Sequence, residues 1–134
     1  MEQKDFFKIT QEQRELLSAV EQNDTRRFIM LGGASKQDIN FTAGENRAFL
    51  LLIAAARGFT DMVELMALNV GLNLLQTDAN GLNAFLMASW HNRVEVMQKL
   101  IKLNCNVFCT ANNGSTALHL AVKQGHIEAV REIL

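Results

Sequence analysis

The sequence predicts an all-α solenoid built from stacked helix-turn-helix units, and three observations carry that expectation. A turn, a short apolar helix, a glycine break and a second amphipathic helix follow one another from Asn113 to Val130. The same order returns upstream at a period of 33 to 34 residues: Gly81 stands 33 before Gly114, and Gly58 stands 34 before Asn92 at the break between the two helices. Within each segment the apolar residues recur at helical spacing. Self-similarity at a fixed period of this size marks a repeat architecture, in which each unit buries its apolar face against its neighbours.

Thr10-Gln11-Glu12-Gln13 forms a capping box, with the Thr hydroxyl accepting from the Gln13 N–H and the Gln side chain reaching back. A helix over 11–22 follows, with Leu16, Leu17, Ala19 and Val20 as its apolar stripe. Asn23-Asp24 breaks it, a second short helix over 26–31 uses Phe28, Ile29 and Leu31, and Gly32-Gly33 supplies the positive φ needed to leave it. Glu12, Arg14 and Glu15 give this first pair a polar outer side, as a terminal unit requires. Residues 1–9 are expected to fray.

Three further units repeat the plan. Their first helices are expected at 48–57, 83–91 and 116–124, and their second helices at 60–69, 94–103 and 127–134. Phe85, Ala88 and Ser89 share one face of a first helix by i, i+3, i+4 spacing, and Val94, Met97, Leu100 and Ile101 are the expected core of the second. Small residues at Ala54, Ala55, Ala88, Ser89 and Ala121 allow close helix approach. Each core Leu or Phe should contribute roughly 1.5–3 kcal/mol by burial.

Gly114-Ser115-Thr116-Ala117-Leu118-His119-Leu120-Ala121, with Gly125-His126-Ile127-Glu128-Ala129-Val130 after it, resembles the ankyrin repeat. The resemblance covers Leu16 to Leu134 and implies units at 10–43, 44–77, 78–110 and 111–134, with extended loops projecting from the helices. It is strongest in the last unit. Two departures stand out. The chain has no proline, so Leu50, Ala84 and Ala117 occupy the first helical position that the family gives to Pro, and Arg47 stands where the turn would carry Gly. The family's Thr–His pair, here Thr116 and His119, implies a helix cap, and His126 falls at a structural position of the helix break.

Composition excludes several classes. A net charge of −1 gives no electrostatic footprint for nucleic acid. The longest apolar run, Ala48 to Ala56, is too short for the roughly 20 residues of a membrane span. No charged-then-apolar leader follows Met1, so an intracellular, cytoplasmic or nuclear setting with reduced thiols is expected. Cys105 and Cys109 stand where the repeat pattern has small alanines and are expected to act as small apolar residues, not as metal ligands. Gly32-Gly33 lacks the Gly-Lys-Ser/Thr context of a phosphate loop. No catalytic, cofactor or metal residues are expected.

Trp90 is the exception to a structural account. It lies five residues, a net rotation of about 140°, from core Phe85, and therefore points toward the groove lined by the first helices. Its equivalents are Glu21, Ala56 and Lys123, and Leu82 adds a second apolar point nearby. The family resemblance implies a protein-interaction module using the concave face. Its contact candidates are Glu45, Asn46, Ala48, Ala56 and Arg57, then Ala79, Asn80, Leu82, Trp90 and His91, then Asn112, Asn113, Ser115 and Lys123. The alternative is a structural segment of a longer repeat array in a multidomain signalling or enzyme-adaptor protein. The chain stops inside a helix with no polar cap, so an apolar edge of Ala117, Leu118, Ala121, Ala129, Val130, Ile133 and Leu134 is expected to fray or to self-associate.

Overall fold

The computed structural model describes residues 9–35 and 37–134; the expected fraying of 1–9 falls, but for Ile9, outside them. Its helices are α1 (Gln11–Glu21), α2 (Thr25–Met30), α3 (Leu50–Arg57), α4 (Thr60–Ala67), α5 (Ala84–Trp90), α6 (Val94–Lys102), α7 (Ala117–Gln124) and α8 (Ile127–Ile133). A short hairpin, β1 (Thr42–Ala43) with β2 (Ala48–Phe49), precedes α3 and pairs Thr42 with Phe49 and Ala43 with Ala48. The first helices α1, α3, α5 and α7 pack successively in one row, and α2, α4, α6 and α8 in a second. This is an all-α repeat solenoid.

Local chemistry sets the helix starts. The Thr10–Gln13 capping box forms as the spacing predicts. The Asp24 carboxylate accepts from Arg27 N–H at 3.1 Å, which starts α2 one residue earlier than expected. Asn83 caps α5 by accepting from Leu86 N–H at 2.8 Å. At α7 the Thr116 hydroxyl accepts from His119 N–H, and His119 Nδ1 accepts from Thr116 N–H at 3.1 Å. That ring nitrogen is therefore unprotonated and the Nε2 tautomer is present.

Each turn between paired helices uses one left-handed residue: Asn23 (φ 54°), Gly58 (75°), Asn92 (59°) and Gly125 (72°). The residue after it donates back five positions, from Asp24 to Ala19, Phe59 to Ala54, Arg93 to Ala88 and His126 to Ala121, at 2.8–2.9 Å. Glycine and asparagine adopt this conformation at least cost, hence their alternation at this register.

The core phase corrects two expectations. Val96, Met97 and Leu100 of α6 are buried, aligned with Met62, Val63 and Met66 of α4. Val94 is only half-buried because it opens α6 at the turn, and Ile101, 39% exposed, lies past the edge of the stripe. At 100° per residue, 96, 97 and 100 subtend one face, which the longer-range anchoring of the helix selects. Ile29, expected in the α2 stripe, is likewise exposed. Ser89 is buried, with its hydroxyl donating to Phe85 O at 2.9 Å.

The expected apolar edge also differs. Ala117, Ala121 and Ala129 are buried within the last helix pair and against its predecessor, while Leu118, Val130 and Ile133 are half-buried. What α7 and α8 leave exposed is Val122, Ile127 and Leu134.

Side chains tie neighbouring loops together. Buried Asn69 donates to Gly33 O and Gln37 O at 2.9 and 2.8 Å and accepts from Gly71 N–H. Cys105 is buried as a small apolar residue would be, with its Sγ 3.9 Å from Asn83 Nδ2. Burial pushes the Cys105 thiol up to about 11, with the Cys109 thiol a further cause, and burial raises Cys109 too.

Two outcomes follow. Arg47 holds φ +57° where the aligned Gly81 and Gly114 hold +79° and +86°. Arg47→Gly should raise the unfolding free energy in denaturant by about 1 kcal/mol, because a left-handed side chain costs roughly that; a loss of stability would mean the Arg47 side chain makes a compensating contact. For Cys105, folding stability should hold below pH 9 and fall as pH rises toward about 11, since the unfolded thiol ionises first. Its alkylation by iodoacetamide at pH 8 should run on the order of a hundredfold below a free thiol, and reaction at the free-thiol rate would contradict the burial.

Candidate functional site

The first helices present one face to solvent, and the turns before them stand over its edge. Successive turns are linked by backbone: Ala79 N–H donates to Asn46 O at 2.8 Å and Asn112 N–H to Asn80 O at 2.9 Å. Asn112 Nδ2 also donates to Ala79 O at 2.9 Å. Asp78, 9% exposed, braces its turn by accepting from the Asn80 and Leu82 N–H groups at 2.9 Å each. The residues on these turns are thus held at fixed spacing.

Between the third and fourth helix pairs lies an open cavity of about 460 Å³. Met87 and Trp90 of α5 and Leu120 of α7 line it with Leu82 and Ala111 from the turns, and Asn80, His91, Asn112 and Asn113 complete the rim. Six of the sequence candidates, Asn80, Leu82, Trp90, His91, Asn112 and Asn113, meet here. Met87, Ala111 and Leu120 were missed. Their signal was available in spacing: Met87 precedes Trp90 by three and shares its helix face, and Leu120 repeats Met87 at 33 residues.

Trp90 is half-buried, and its carbonyl accepts from His126 Nε2 at 3.0 Å. Because a carbonyl only accepts, His126 carries its proton on Nε2. His91, exposed beside them, has its pKa lowered by desolvation and by the charges of Arg93 and His126. The rim retains unused hydrogen-bonding capacity. Asn113 Oδ1 takes the Ser115 N–H at 3.0 Å, while the Asn80 side-chain amide has no partner among the described residues.

The remaining candidates lie elsewhere. Asn46, Ala48, Ala56 and Arg57 line an adjoining cavity of about 300 Å³, which shares Met87 and His91 with the first. Arg57 has a structural partner: its Nη1 donates to Glu21 O at 3.0 Å. Ser115 and Lys123 line a third depression with Leu118, His119 and Val122. Glu45 and Ala79 line none of these cavities, although both are exposed. Among the described residues no cluster of three or more His, Cys, Asp or Glu is placed to hold a metal.

No helix of the described residues is long and apolar enough to cross a membrane. The family model for ankyrin repeats, in three copies, matches residues 51–134. The chain is 30% identical over 120 residues, 89% of its length, to the probable E3 ubiquitin-protein ligase XBOS32 of Oryza sativa subsp. japonica. It is 36% identical over 85 residues, 63% of its length, to the probable E3 ubiquitin-protein ligase XBOS33 of the same organism. These matches span only 24% and 16% of the two rice proteins. Ankyrin repeats are in general protein-interaction modules. With a repeating period, a two-row helical stack and a family match over more than half its length, the chain belongs to the ankyrin repeat family.

Proposed function

We propose that this chain is a protein-recognition module whose partner docks on the concave face, centred on the cavity beside Trp90. The observation that carries this reading is the convergence of Leu82, Met87, Trp90 and Leu120 on one open cavity with asparagine side chains at its rim. Binding sites of this kind combine an apolar interior with a few orienting polar groups. Tryptophan is also among the side chains enriched at interface hot spots.

The rice relatives are named as ubiquitin ligases, which raises the question of transfer chemistry in this segment. Its role in such a setting is recognition. Cys105 and Cys109 are the side chains a thioester step would use, and burial raises both thiols above their ordinary range. A thiol that stays protonated is a poor nucleophile.

A second reading, favoured by one observation, concerns the exposed face of α7. Val20, Ala55 and Ser89 are 0% exposed at the register where Val122 is 60% exposed. The following helix pair covers each of the first three. We propose that a further unit of the same kind stacks over Leu118 and Val122, from this chain's continuation or from another copy.

Trp90→Ala should weaken capture of the partner roughly thirtyfold or more, since hot-spot truncation costs about 2 kcal/mol or more. Unfolding free energy should fall by about 1 kcal/mol. Titration of the partner recovered by crosslinking, against wild type and the variant, makes the comparison; several kcal/mol of lost stability with unchanged affinity would assign Trp90 to the fold alone. For the second reading, light scattering should show concentration-dependent association of the 134-residue chain that Val122→Glu abolishes. A monomer at all concentrations, unchanged by that substitution, would show that Val122 is an isolated exposed residue.

A further inference from the structure

We infer that the cavity beside Trp90 is an anchor site for one large aliphatic or aromatic side chain, carried on an acidic, extended segment of the partner. The inference rests on the concave-face reading above and specifies the chemistry it would select. Three features of the site carry it.

The interior is apolar: Leu82, Met87, Ala111 and Leu120 supply hydrocarbon, and the Trp90 ring stands at one side. At about 460 Å³ the space accepts a bulky side chain together with part of its own backbone. The rim then sets the form of that backbone. Asn112 spends its Nδ2 on Ala79 O and packs its Oδ1 against Gly81, Asn113 spends its Oδ1 on Ser115 N–H, and among the described residues the Asn113 Nδ2 and the Asn80 amide have no partner. A helix satisfies its own interior N–H and C=O groups, so its backbone has none left to offer such a rim. An extended segment presents one donor and one acceptor at every residue.

Charge specifies the flanks. Between Glu95 and Glu128 the chain contains no carboxylate. Asp78 is the acidic group nearest the cavity in sequence, and the Asn80 and Leu82 N–H groups already occupy it. Arg57 lines the smaller cavity on one side and Lys123 the depression on the other. On the Arg57 side Asp78 lines the same cavity and offsets that charge, whereas a segment leaving the anchor over α7 meets Lys123, so Asp or Glu is complementary there and Lys or Arg is repelled.

Trp90 is the sole tryptophan and the chain has no tyrosine, so its emission reports the cavity directly. The probes are short synthetic peptides of Gly, Ser and Asp carrying a single Leu or Phe, with Ala for the anchor or Lys for Asp as controls. The Leu and Phe peptides should shift Trp90 emission saturably, and either control should weaken the apparent affinity about tenfold or more. Ala111→Leu, which narrows the cavity, and Leu82→Asp, which places a carboxylate on its wall, should do the same while thermal unfolding remains cooperative. If Ala111→Leu does not fold, Leu82→Asp carries the comparison. Equal binding of Leu and Ala peptides, equal binding of acidic and basic peptides, or no response of Trp90 to any of them overturns the inference. Binding that survives both cavity variants but is lost in Lys123→Glu removes the anchor and leaves the concave face standing. Binding indifferent to all three variants removes both.

Discussion

The stack depends on one recurring contact, in which a polar side chain of each helix pair reaches back to the end of the preceding first helix. Arg57 donates to Glu21 O, Arg93 to Ala56 O at 2.9 Å, and His126 to Trp90 O. Glu21, Ala56 and Trp90 occupy one register. The last carbonyls of a helix lack intrahelical partners and carry the negative end of its dipole, which suits a donor that is cationic or strongly polar. Each bond is modest, on the order of 1 kcal/mol net. Its larger consequence is geometric: the offset between successive first helices is pinned at the end where Trp90 sits.

Burial supplies the bulk of the stabilisation, and the small residues decide how it is shared. Ala54, Ala55, Ala88, Ser89 and Ala121 are all 0% exposed and let the first helices approach closely. Larger side chains, among them Phe85, Met97 and Leu100, fill the space between the two rows. Among the described residues each pair packs chiefly against its immediate neighbours, so stability accumulates along the stack, as expected for a quasi-one-dimensional array. The outer row adds the Glu64–Lys99 ion pair and a Gln98–Glu132 hydrogen bond at 3.1 Å, both exposed and individually weak.

What the sequence made legible was local or periodic. The Thr10 box, the Thr116 cap and the left-handed breaks depend on residues within a few positions of one another. The helix pairs followed from the period. The phase of α6 did not, because several stripes of that helix are apolar and its packing against α4 and α8 selects one. Arg57 was a contact candidate, and its structural acceptor was not visible because it lies 36 residues away. Trp90 and Leu82 were visible because they break the repeat pattern. Met87 and Leu120 obey it, so the pattern did not single them out although they line the cavity.

That distinction also explains why an apolar cavity opens on the groove beside Trp90. At the Trp90 register the neighbouring first helices carry Ala56 and Lys123, one too small to wall a cavity and the other charged. At the Leu82 register the preceding turn has Ala48, again small, while the following turn has Ser115. The adjoining space is correspondingly smaller and includes Arg57 and Asp78 in its lining. The repeated scaffold offers equivalent gaps along the groove, and only between the third and fourth pairs do large apolar residues from both helix and turn coincide. Specificity in such a fold resides in the positions free of stacking duty: α5 keeps its packing face in register with α3 and α7, and its groove face varies without disturbing them.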